Sequence, residues 1–163
     1  MRDRAVQTLR RSFLLACFVL PTAVVHAQGD PPNKLPALKR LKCQFSTSAA
    51  GAWQNGEVQA RVKSAGMLSF EIDSIDTDDG SARFVGLSSE PAHIIAQLRG
   101  WTLHFMDARP DGSLYITTVF SQESRPRTLK AVYTRTSYLP VSIPGFAAEP
   151  EASQYYGQCE VIN

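Results

Sequence analysis

WTLHFMDARPDGSLYITTVF, residues 101–120, is the stretch from which the fold is read. Two runs that alternate apolar and polar residues, Trp101 to Asp107 and Leu114 to Phe120, flank the turn Arg109-Pro110-Asp111-Gly112. A period of two is that of an extended strand with one face buried and the other in water. Proline presets the backbone for entry into a turn, and glycine supplies the positive φ that closes it. The stretch therefore predicts a β-hairpin.

The same period runs on in both directions. Leu41, Cys43 and Phe45 share a face, with Lys42, Gln44 and Ser46 opposite. Val58, Ala60 and Val62 alternate with Glu57, Gln59, Arg61 and Lys63, and both runs read as half-buried strands. Leu68, Phe70 and Ile72 oppose Ser69, Glu71 and Asp73, and the turn Asp78-Asp79-Gly80-Ser81 leads from them into Ala82 to Leu87, a second predicted hairpin. Ala92 to Leu98, Thr128 to Tyr138 and Tyr155 to Ile162 complete the set. Ser89 to Leu98, headed by Glu90-Pro91, also admits a short helix, although Ile94 and Ile95 favour a strand. Leu139 to Ser153 carries Pro140, Pro144, Gly145 and Pro150 and is expected to be an irregular excursion. Eight or nine short antiparallel strands at spacings of about ten residues predict an all-β meander, closed or nearly closed into a barrel, with a β-sandwich as the alternative.

The start of the chain follows other rules. Arg2, Arg4, Arg10 and Arg11 precede the apolar run Ser12 to Val25, and Val25-His26-Ala27 ends in a small residue, so residues 1–27 read as a secretory signal cut between Ala27 and Gln28. The run spans about 14 residues and is broken by Pro21, whereas a membrane-crossing helix needs roughly 20. The competing reading is a lipobox, Leu14-Leu15-Ala16-Cys17, but it would leave the apolar segment Phe18 to Val25 as a new N-terminus. Residues 28–40, rich in Pro, Gly and charge, are expected to be a flexible leader, and residues 41–163 a single domain. A periplasmic or secreted location follows from the signal.

Four of the 17 basic residues and one of the 15 acidic ones lie within the signal, so the remainder carries one more acid than base. Nucleic-acid binding draws on clustered Lys and Arg. The one such cluster, Lys34, Lys39, Arg40 and Lys42, sits in the leader and reads as a solvated tail. After cleavage two cysteines remain, Cys43 and Cys159, and in an oxidising compartment they are expected to form a structural disulfide. A metal-thiolate site or a redox pair is the alternative, but neither a CxxC spacing nor an adjacent His supports it. If the faces bearing the two cysteines are both interior, the bridge ties the first strand to the last, which favours the barrel.

Phe70-x-Ile72-x-x-Ile75-Asp76, Ala82-Arg83-x-x-Gly86, Thr102-x-x-Phe105, Leu114-x-Ile116-Thr117-Thr118-Val119-Phe120, Ala131-Val132-Tyr133-x-Arg135 and Ser153-Gln154-Tyr155-Tyr156-Gly157-x-Cys159 together resemble a group of small exported bacterial proteins of uncharacterised activity, with the SQYYGxC ending as the most specific element. The resemblance implies a compact β-barrel-like domain, similar at the level of fold to β-barrel binding proteins. It implies no reaction, substrate or catalytic residue.

Residue chemistry adds little beyond this. His93 and His104 lie on separate strands, short of the three or four converging ligands a transition metal needs. Asp73, Asp76, Asp78 and Asp79 do not fit the spacing of a calcium loop, and the G-x-S-x-G signature of a nucleophile elbow is absent. No catalytic residue, metal or cofactor is expected. The aromatic residues Trp53, Trp101, Phe105, Tyr115, Phe120, Tyr133, Tyr155 and Tyr156 read first as core, since a barrel of this size is filled by its own side chains. Should its mouth be open, Trp101, His104, Tyr115 and Tyr133 are the candidate pocket residues. The expectation is an exported, non-enzymatic binding module holding a small apolar ligand in the barrel. The alternative is a protein–protein interaction module or envelope-enzyme inhibitor that uses the loop 139–153.

Overall fold

A computed structural model of the chain describes residues 32–54, 56–86, 91–138 and 150–162; the expected signal, the first residues of the expected leader and the loop 139–149 lie outside them. Eight strands follow one another: β1 (Leu41–Gln54), β2 (Glu57–Asp76), β3 (Ser81–Val85), β4 (Ala92–Arg99), β5 (Thr102–Ala108), β6 (Leu114–Arg125), β7 (Thr128–Ser137) and β8 (Glu151–Val161). Each pairs antiparallel with the next, and β8 returns to pair with β1, so the meander closes into a ring of hydrogen bonds. The sandwich alternative is thereby removed. Among the described residues no helix is long and apolar enough to cross a membrane.

The β5–β6 hairpin is built as its turn chemistry dictates. Asp111 Oδ1 accepts the Ser113 N–H at 2.9 Å, Gly112 takes φ +83°, and the Arg109 N–H donates to the Ser113 carbonyl at 2.8 Å. Register then runs without interruption from Ala108 opposite Leu114 to Thr102 opposite Phe120. Residues 92–99 form β4 and not a helix. Eight strands form, where eight or nine were expected, because Val58–Lys63 and Leu68–Ser74 belong to one strand, β2, with no turn between them.

Two expectations are corrected. Residues 57–64 are not half-buried: every one of them is exposed, with Val62 77% accessible. They pair with β1 beyond the point where β3 ends, as a ribbon that leaves the core behind. The leader, in its described part, is packed and not free. Leu35, in a 3-10 turn over Leu35–Ala37, and Leu38 are buried in the core. Around them Asn33 Nδ2 donates to the Gly100 carbonyl, Lys34 pairs with Glu123, and the Ile75 N–H donates to the Lys39 carbonyl. Apolar burial of two leucines offsets the entropy that a Pro-rich segment loses on ordering.

The interior is filled by inward residues from all eight strands, among them Phe45, Phe70, Ile72, Phe84, Ala96, Leu103, Phe105, Val119, Leu129 and Cys159. Phe70 organises the aromatic part, with ring centroids 5.5 Å from Phe45, 4.5 Å from Phe84 and 5.3 Å from Tyr133. Cys43 and Cys159 are directly opposed across the β1–β8 seam, with Cα atoms 4.0 Å apart, and are joined by a disulfide that is fully buried.

The same seam explains the glycine of the SQYYGxC ending. Gly157 stands opposite Phe45, beside the bulge between Phe45 and Thr47. A Cβ at this position would run into the Gln44 carbonyl oxygen and lie 2.7 Å from the Phe45 Cα, both of them backbone atoms fixed in the ladder. Gly157→Ala is therefore expected to lower unfolding free energy by at least about 2 kcal/mol. Gly66→Ala, where a Cβ meets nothing within 4 Å, should change it by less than about 1 kcal/mol. Urea denaturation of the two variants tests the contrast. Removing the bridge, which closes a separation of 116 residues, should cost about 4–5 kcal/mol, read as the loss of midpoint in Cys43→Ala/Cys159→Ala relative to the oxidised protein.

Candidate ligand site at the barrel mouth

The interior changes character along the barrel axis. Reading around the ring at the level of Leu103, the inward residues are Val119, Ala131, Gly157 and Phe45. Toward the other end the next level holds Phe105, Thr117, Tyr133, Tyr155 and Ser48, and beyond it come Asp107, Tyr115, Arg135 and Ser153. Two residues separate these levels on each of β5 to β8, and three on β1, where the bulge after Phe45 adds one, so all of them point inward. Apolar packing thus gives way to hydroxyls, rings and charges within two levels.

At this polar end lies a cavity of about 380 Å³, open to solvent, walled by Leu68, Phe84, Tyr115, Tyr133 and Tyr155 and rimmed by Asp107, Arg109, Asp111 and Arg135. The tyrosines form a connected surface. Tyr115 and Tyr133 stack with an interplanar angle of 7° and centroids 6.1 Å apart, and Tyr155 lies 5.8 Å from Tyr133. Two guanidinium groups lie over the Tyr115 ring, Arg109 at 5.7 Å and Arg135 at 5.8 Å, within the range of cation–π attraction.

The charges at the rim are not equivalent. Arg109 is held by Asp107, with Nε and Nη2 2.8 and 2.7 Å from the same carboxylate oxygen. Asp111 is taken up by Ser113, whose backbone N–H, followed by its side chain, holds the carboxyl below the usual range. Arg135 meets no carboxylate among the described residues, and its partner is the Tyr115 face. Opposite it in the ladder stands Ser153, whose Oγ is buried without a hydrogen-bond partner. The site therefore offers a flat aromatic wall with one guanidinium that forms no ion pair among the described residues.

The four pocket candidates separate into two pairs. Tyr115 and Tyr133 line the cavity. Trp101 is exposed in the β4–β5 turn. His104 alternates with the inward Leu103 and Phe105, and its two ring nitrogens lie 3.0 Å from the hydroxyls of Thr102 and Thr118. His93 is exposed on β4. Of the loop 139–153, residues 139–149 lie outside the described residues, while 151–153 already belong to β8. Arg109, Arg135 and Asp107 were missed, although two of them carry a readable signal. Arg135 keeps the inward parity of Leu129, Ala131 and Tyr133, and Asp107 that of Leu103 and Phe105. A charge at an inward position of an alternating strand marks the wet end of a barrel.

The fold and this mouth define a small closed β-barrel with an aromatic, arginine-bearing opening. Comparison with known proteins returns no matching family model and no matching curated protein, so the functional argument rests on the geometry.

Tyr133 provides a probe of that geometry. Burial, with the neighbouring Tyr115 adding to it, pushes its phenol from the ordinary value of 10 up to about 12. Because the folded state holds the proton more tightly than the unfolded chain, the associated stability is complete below pH 10. It is lost as the pH rises through about 12. Alkaline titration followed at the tyrosinate absorption band should show a component near pH 12 that is missing from Tyr133→Phe. The same component persisting in that variant would mean that another ring is the buried one.

Proposed function

We propose that this chain is an exported binding module that holds a small ligand in the mouth of its barrel, and that the ligand combines a flat apolar body with one acidic group. The observation carrying the reading is Arg135, a guanidinium that pairs with no carboxylate among the described residues, set over stacked tyrosines at the rim of a cavity of about 380 Å³. That size falls within the range of small-molecule sites. Tyr115, Tyr133 and Tyr155 supply ring faces for the apolar body, and the Arg135 fork suits a carboxylate or sulfonate. The expected purely apolar ligand is refined accordingly, because the rim is charged. Export is supported by the buried Cys43–Cys159 bond, since such bonds persist in oxidising compartments.

Among the described residues lining the mouth, no base is poised beside a nucleophile. Arg109 and Asp107 neutralise each other, Asp111 is engaged by its own turn, and His93 and His104 lie on other surfaces. The arrangement is suited to holding a ligand.

Two dyes that differ by a sulfonate test the reading, 8-anilinonaphthalene-1-sulfonate and neutral N-phenyl-1-naphthylamine. Fluorescence titration of the oxidised protein should show stoichiometric binding of the sulfonate. Arg135→Gln should weaken that binding about tenfold or more, the worth of a charge-assisted hydrogen bond, while leaving the neutral dye's affinity unchanged. Tyr115→Ala should weaken both dyes. If the folded protein binds neither dye, the pocket reading fails. If Arg135→Gln affects both alike, the acidic group is the part that is wrong.

A further inference from the structure

The ribbon beyond the core has its own consequence, independent of the mouth. Between Glu57 and Phe70, β2 hydrogen-bonds on one side to β1, while its ladder with β3 begins only at Glu71 opposite Val85. Among the described residues no strand occupies the other side. The segment therefore presents an open row of backbone N–H and C=O groups, the kind of edge that folded proteins usually block with proline, a bulge or a covering element. Residues 57–66 contain no proline, and their register with β1 is unbroken from Glu57 to Ser64.

Which groups face the open side follows from the hairpin. Gln54 and Glu57 are partners across a two-residue connection, so they form a hydrogen-bonded pair, and bonded and non-bonded pairs alternate from there. Glu57, Gln59, Arg61 and Lys63 thus spend their backbone groups on β1. Val58, Ala60 and Val62 turn theirs outward. The Val58 and Val62 side chains are 59% and 77% exposed and share a face with exposed Trp53, Val58 being opposite Trp53 in the ladder.

We propose that two copies of this chain join edge to edge along β2, antiparallel, about a two-fold axis at Ala60. The sequence EVQARVK, residues 57–63, is complementary to its own reverse. In that register Ala60 faces Ala60 and Val58 faces Val62, and these are the residues whose backbone groups are free to bond. Glu57 then faces Lys63 and Gln59 faces Arg61 at the non-bonded positions, where cross-strand side chains come closest. Both apolar and charged positions match, and they match twice by symmetry, as an isologous interface requires. A slip of two residues toward Val62 would set Arg61 against Arg61. The opposite slip shortens the ladder and leaves Lys63 beyond the end of the strand.

Sedimentation velocity of the oxidised exported chain, together with amide hydrogen exchange, tests this. The expected result is a concentration-dependent dimer in which the Val58, Ala60 and Val62 amides exchange slowly. Ala60→Pro deletes an outward N–H without touching a bond to β1, so it should give a folded monomer. Glu57→Lys should weaken the dimer roughly tenfold by setting like charges opposite each other at two symmetric places. Glu57→Lys/Lys63→Glu should restore it, an outcome that remains decisive even if the proline variant fails to fold. Three results would overturn the proposal: a monomer at every concentration, a dimer indifferent to the charge reversal, or protection of those amides only when a different protein is added.

Discussion

Everything described depends on the β1–β8 seam. A meander of eight strands has two ends, and here they meet, so that Leu41 to Ala52 bond to Val161 to Glu151 across the longest sequence separation in the domain. Closing such a loop costs chain entropy before any contact compensates it. The buried Cys43–Cys159 bond removes most of that cost from the oxidised chain, because it already holds the first and last strands together in the unfolded state. Once the seam exists, each inward residue has neighbours on both sides, and the graded interior from Leu103 to Arg135 becomes a single continuous lining.

The seam is also where substitution is least tolerated. Gly157 lets the β8 backbone approach β1 at the bulge after Phe45, and Cys159 follows two residues later on the same face. Tyr155, two residues earlier, carries that face into the mouth. The ending SQYYGxC is thus explained at alternate positions as one strand's inner face: a buried serine, a wall of the cavity, a required gap and a covalent tie. Its outward members do less, with Tyr156 donating to Gln154 at 2.6 Å on the exposed side.

Much of this was legible beforehand, and the failures share a physical cause. The hairpin at Pro110-Asp111-Gly112, the all-β meander and the pairing of Cys43 with Cys159 follow from local turn chemistry, period two and elimination among few thiols. Period two states which residues share a face, but it is silent on which face meets the core. Val58, Ala60 and Val62 were therefore read as half-buried, whereas the ribbon has run past the core and finds no surface to bury against among the described residues. Leu35 and Leu38 failed in the opposite sense, since two leucines among prolines show no period and their burial comes from a distant surface. At the mouth, Tyr115 and Tyr133 were named as aromatic residues. Arg135 and Asp107 were passed over because charge was equated with outside.

The packed leader gives the barrel a floor. Asn33, Lys34 and Lys39 fasten to Gly100, Glu123 and Ile75, all at the end opposite Tyr115 and Arg135, and Leu35 and Leu38 fill the space between. The molecule is in this respect a cup and not a tube. A ligand held as proposed beside Arg135 would arrive and depart past the tyrosine and arginine side chains of that one rim. A substitution there would alter arrival and departure together, while one near Leu35 would leave both untouched unless it broke through the base.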